Sequence, residues 1–181
     1  MKRLCGLVVA ATLVFVSCNR AETPPAPAAP AAAAAKPYGS LAQVMRGIPF
    51  PASNLIFDAQ SNDPGAAKKE GDASAGATSA YSGVYGGWQA VENAAIALQE
   101  TANLITIPGR LCENGKPVPV DQEDFKKWAA NLQAAGAAAY KAAQSKNLDA
   151  MVDVSGTVSD ACAMCHEKYR DKPDNAQRCT P

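Results

Sequence analysis

Histidine is almost absent from this chain: its 181 residues hold one, His166. That excludes a multi-histidine metal cluster, a cofactor held by two imidazoles, and any Ser-His-Asp triad that does not use His166 itself. An excess of one charge is missing too. Lys+Arg and Asp+Glu both number 17, and charged residues make up 19%, below the roughly one quarter usual for soluble domains. Without a basic surplus there is no electrostatic footprint for nucleic acid. No stretch alternates convincingly with the period of two that a half-buried strand needs. Val118 and Val120 make too short a run, and prolines interrupt it.

What is present begins with a leader. Lys2 and Arg3 precede an almost wholly apolar stretch, residues 4–16, which reads as an export signal and is too short to span a bilayer comfortably. Ser17 directly before Cys18 resembles a bacterial lipobox, in which the cysteine becomes the lipidated first residue. Phe15 departs from that pattern, and ordinary cleavage nearby is the alternative. Either outcome puts the mature chain outside the cytoplasm. Residues 1–18 are therefore expected to be a signal peptide, with a lipid anchor to the membrane through Cys18. Residues 19–37, nearly all Ala and Pro over 21–35, lack side chains to bury and read as a linker.

Residues 38–181 are expected to form the folded domain. Leu41, Val44, Met45, Ile48, Ala52 and Leu55 fall on one helical face. Pro49 and Pro51 predict a kink within it. A loop rich in Gly, Ala, Ser and Asp follows over 61–80. A second helix places Trp88, Val91, Ala95, Leu98, Ala102 and Ile105 together and ends at Pro108-Gly109. A third opens on Asp121, Glu123 and Asp124, suited to a helix N-terminus, and aligns Phe125, Trp128, Leu132, Ala135, Ala139 and Ala143. The fourth, 148–170, aligns Met151, Val154, Val158, Cys162, Cys165 and Tyr169. The predicted fold class is all-α, an antiparallel four-helix bundle. Its many core alanines bury little apolar area each, a deficit that a large apolar cofactor would offset.

Cys162-Ala163-Met164-Cys165-His166 is a C-x-x-C-H motif. In an exported chain it reads as covalent haem attachment: Cys162 and Cys165 form thioethers with the haem vinyls and His166 ligates the iron. A thioredoxin-like pair would need a preceding strand, and a zinc site would need a fourth ligand such as Cys112 or Cys179. Cys112 and Cys179 are otherwise the cysteines left over, and export favours pairing them.

The run Cys162-Ala163-Met164-Cys165-His166-Glu167-Lys168-Tyr169-Arg170, closing a last helix, resembles the class II c-type cytochromes: cytochrome c′ and its low-spin relative cytochrome c556. Met45 ahead of Pro51-Ala52-Ser53-Asn54 is similar as well. The resemblance implies a four-helix bundle with one haem c bound covalently near the C-terminus, and Arg170 paired with a haem propionate. Arg46 is a further propionate candidate, and Tyr169 is expected to pack on the haem.

The sixth iron ligand decides function. With His166 used, methionine is the natural choice for a closed, higher-potential iron. Met1 leaves with the leader and Met164 lies inside the attachment loop. Met151 sits 15 residues before His166, about 22 Å along the helix. That leaves Met45, which an up-down-up-down bundle puts at the same end as His166. In c556-type relatives a first-helix methionine has this role; in cytochrome c′ an apolar residue merely packs there, and both readings stay open for Met45. The expected function is a monohaem cytochrome carrying single electrons in the periplasm, not an enzyme, with His166 and Met45 on the metal. The alternative is a gas-binding or sensing haem protein with an open sixth position. Redox proteins are its expected partners. Relatives are often homodimers, although no exposed apolar stripe demands one here.

Overall fold

The computed structural model describes residues 35–66 and 86–180. The expected leader, Cys18, most of the linker and most of the 61–80 loop lie outside the described residues.

Helix α1 (Leu41–Gly47) starts from a capping box. The Gln43 N–H donates to the Ser40 hydroxyl at 3.3 Å, and the Ser40 N–H donates to the Gln43 side chain at 2.8 Å. Both satisfy amides that a helix start leaves orphaned. The helix stops at Ile48, whose φ of −123° is not helical. Pro49 then opens α2 (Pro49–Asp58) at its first position, where a missing N–H costs nothing. The kink expected from the prolines is thus a clean break, and it re-phases the chain. Ala52, Ser53 and Ile56 point inward, while Leu55 is 46% exposed. This corrects the inward place expected for Leu55: a single 3.6-residue period cannot run through a non-helical residue.

Helix α3 (Trp88–Ile105) buries Val91, Ala95, Leu98, Ala102 and Ile105 as the periodicity predicts. Helix α4 (Glu123–Ser145) buries Phe125, Leu132, Ala135, Ala139 and Ala143. Helix α5 (Leu148–Tyr169) follows a tight turn in which Lys146 takes the left-handed conformation, φ 51°. The Asn147 side chain caps its start by accepting from the Ala150 N–H. Helix α3 packs on α4, α4 on α5, and α2 on α3 and α5. With α1 and α2 as one broken limb, the described residues form a four-limbed helical bundle without strands; a lone bridge joins Leu111 to Pro117.

Small residues let α3 and α4 approach closely. A Cβ on Gly136 would lie 2.9 Å from Gln99 Cγ and 3.0 Å from both the Ala95 carbonyl oxygen and the Gln99 amide nitrogen. Two of these atoms are backbone and cannot swing away. Gly136→Ala is therefore expected to destabilise the bundle. Overpacking costs about 1–3 kcal/mol, against at most about 1 kcal/mol regained from helix propensity. A fall in the urea unfolding midpoint checks this.

The loop between α3 and α4 is pinned by Arg110, 3% exposed. Its guanidinium donates to the carbonyls of Tyr38 (2.6 Å), Gly39 (3.0 Å) and Leu104 (3.0 Å). The Leu41 N–H donates to Leu111 at 2.8 Å. Together they lash the start of α1 to the end of α3. Cys112 of this loop bonds to Cys179 of the C-terminal tail, the pairing expected from export.

Candidate functional site

The C-x-x-C-H turn lies in the last two turns of α5. Offsets of three and four residues bring Cys162, Cys165 and His166 onto neighbouring positions of one helical face. All three are half-buried and line one cavity of about 610 Å³, within the roughly 300–1,000 Å³ of small-molecule and cofactor sites. Phe125, Trp128 and Leu132 of α4, Ile105 of α3 and Phe57 of α2 give it apolar walls. Met45 lines it from α1; Met151 and Met164 do not. Arg46, Arg170 and Arg178, with Glu113, Glu167 and Asp171, supply its charged side chains. The structure therefore brings all five expected site residues, Met45, Cys162, Cys165, His166 and Arg170, to one cavity.

Burial sets the chemistry of the three donors. It raises the Cys162 thiol above its ordinary range, with Arg170 opposing. Burial, then Asp124 and Cys162, push the Cys165 thiol up to about 11. Both cysteines are unbridged, and as thiols they are poor partners for disulfide exchange. Burial, with Arg170 nearby, lowers the His166 pKa despite Asp171. The neutral imidazole is the form that ligates a metal.

One device here escaped the sequence reading. Asp124, in the first turn of α4, was expected only to suit the helix dipole. The Tyr169 hydroxyl donates to its Oδ1 at 2.7 Å, and Lys168 Nζ donates to its Oδ2. These bonds, Lys168 first, hold the Asp124 carboxyl below the usual carboxylate range. Burial and the same carboxylate drive the Tyr169 pKa upward. The Tyr169 ring meets Phe125 and Trp128 edge-on, with centroids 5.6 and 5.9 Å away, a favoured aromatic geometry. Tyr169 and Lys168 follow His166 by three and two residues, so this clamp fixes the turn carrying the histidine against α4. An acidic residue in a helix's first turn is too common for its spacing to have signalled this.

The residues fit haem. Two unbridged thiols and an imidazole stand on one side of an apolar cavity, a thioether lines it from another helix, and guanidinium groups are present for carboxylates. The zinc reading loses its spare ligands, since Cys112 and Cys179 are joined to each other.

Fold and site first define a class: a helical bundle with a C-x-x-C-H turn opening on an apolar, arginine-bearing cavity. Residues 117–170 match the family described as Cytochrome C′. Over that stretch the chain is similar to the cytochrome c′ family, a family of haem proteins. The match covers α4 and α5; Met45 and the tail after Arg170 lie outside it. No curated protein and no solved structure matches the chain. Among the described residues no helix is long and apolar enough to cross a membrane.

Proposed function

We propose that this protein is a monohaem c-type cytochrome that carries single electrons between redox proteins outside the cytoplasm. The observation that carries the reading is the shared cavity: Met45 of α1 faces the same space as Cys162, Cys165 and His166 of α5. Cys162 and Cys165 would hold the group through thioethers. His166 and Met45 would be the axial ligands, a pairing that raises the potential of a haem iron. The bound haem supplies a one-electron couple. The chain's own share is geometry and exclusion: the Asp124 clamp steadies the turn bearing His166, and Phe125, Trp128 and Leu132 keep water from the cavity. The motif at residues 1–18 supports export and anchoring through a lipidated Cys18, with 19–37 as tether.

Met45→Ala tests the ligand set. The wild-type protein is expected to show a low-spin visible spectrum and to bind carbon monoxide slowly when reduced. The variant is expected to become high-spin and to bind it readily. An unchanged spectrum in Met45→Ala would remove Met45 from the metal. Fast, tight carbon monoxide binding by the wild type would replace electron carrying with the gas-binding alternative.

A further inference from the structure

Three arginines line the cavity, and two of them are already engaged. The Arg46 guanidinium donates to Glu113 at 2.7 Å. The Arg170 fork is closed on Asp171, at 2.6 Å from Nε and 3.3 Å from Nη2. Arg178 differs. Among the described residues its ion pair is with Glu113, 3.9 Å from Nη1, too far for a hydrogen bond, and Asp171 feels its charge without bonding to it. Its Nε is buried and has no partner. The side chain as a whole is 40% exposed, so its outer Nη groups, and not the enclosed Nε, are the donors that a ligand carboxylate can reach. A planar fork of this kind matches a carboxylate in bidentate fashion.

The backbone that presents Arg178 is held from several sides. Asn114 Nδ2 donates to the carbonyls of Asn175 (2.8 Å) and Arg178 (3.1 Å), and Lys116 Nζ donates to that of Ala176 (2.6 Å). The Cys179 N–H donates to Tyr169 at 2.9 Å, and Cys179 is bonded to Cys112. None of these contacts uses the Arg178 side chain. The tail is thus a fixed wall of the cavity, and its one cationic side chain aimed there has open donors.

We infer that the disulfide-closed tail belongs to the cofactor site, with Arg178 as the positioning residue that takes a carboxylate of the bound porphyrin. This rests on the haem reading above. Arg178 would then help to fix how the bound group lies in the cavity, and its positive charge would favour the reduced iron.

The test measures the reduction potential of the full-length haem-loaded protein as wild type, Arg178→Gln, Arg178→Lys and Lys141→Gln. Lys141 is exposed near the far end of α4 and controls for net charge alone. Arg178→Gln is expected to lower the one-electron reduction constant about tenfold, or about 59 mV. Arg178→Lys is expected to restore most of it, and Lys141→Gln to stay within about twofold of wild type by screening over distance. Equal potentials for Arg178→Gln and wild type, or equal shifts in Arg178→Gln and Lys141→Gln, would overturn the inference. So would a lower melting temperature in Arg178→Gln without a change in potential, the mark of a merely structural residue. Absence of a haem spectrum from the wild type would instead sink the haem reading itself, so the two failures are distinct.

Discussion

Replacing both Cys162 and Cys165 with alanine is expected to yield a chain from which acid–acetone strips all pigment, whereas the wild type keeps its colour through the same extraction. The two thiols open on the cavity, and neither is spent in a disulfide. With both gone, haem would be held by His166, Met45 and apolar contact alone, all of which acid weakens. Intact mass gives an independent reading: the wild type should exceed its processed polypeptide by one haem, and the double variant by nothing. A wild-type mass equal to the bare chain would refute covalent attachment. Stability should fall as well, because a group that binds only the folded state stabilises it by mass action. The single Cys162→Ala variant, left with one thioether, is expected to retain pigment on extraction.

Much of this arrangement was legible in the sequence because it rests on periodicity and spacing. The apolar faces of α3 and α4 follow a helical period without interruption, so residues such as Leu98 and Phe125 could be placed directly. The C-x-x-C-H turn is local, and helix geometry alone brings its donors together. Met45 could be reached by elimination, since the chain has only four methionines. What could not be read depends on contacts between distant segments. Leu55 exchanged places with Ile56 because the break at Ile48 resets the phase, and a proline pair does not say which residue leaves the helix. Arg110 is buried in a loop, where its three carbonyl partners come from two separate segments. Asp124 looks like any acidic helix start until Lys168 and Tyr169, 44 and 45 residues away, close on it. Arg178 has no local signal at all: its place at the cavity depends on a disulfide spanning a separation of 67 residues.

That disulfide should dominate the stability of the fold. Cross-linking removes loop-closure freedom from the unfolded chain, and a loop closed at a separation of 67 residues corresponds to about 4 kcal/mol in the chain-entropy model. A domain of this size has only some 5–15 kcal/mol in all. The paired replacement Cys112→Ser, Cys179→Ser is therefore expected to lower the unfolding free energy by about 4 kcal/mol, read from urea transitions of haem-loaded protein. The native state adds to the case. Both cysteines are buried, and both line the cavity. The bridge joins the α3–α4 loop, pinned by Arg110, to the tail that hydrogen-bonds Tyr169 at the end of α5. Cutting it releases a cavity wall as well as an unfolded-state constraint. The double variant should consequently lose potential in the same direction as Arg178→Gln, because a loosened tail no longer holds that guanidinium in place. A stability loss under about 1 kcal/mol would mean that the tail's hydrogen bonds hold it without the bridge. An unchanged potential alongside the full stability loss would separate the bridge's role in folding from any role in presenting Arg178.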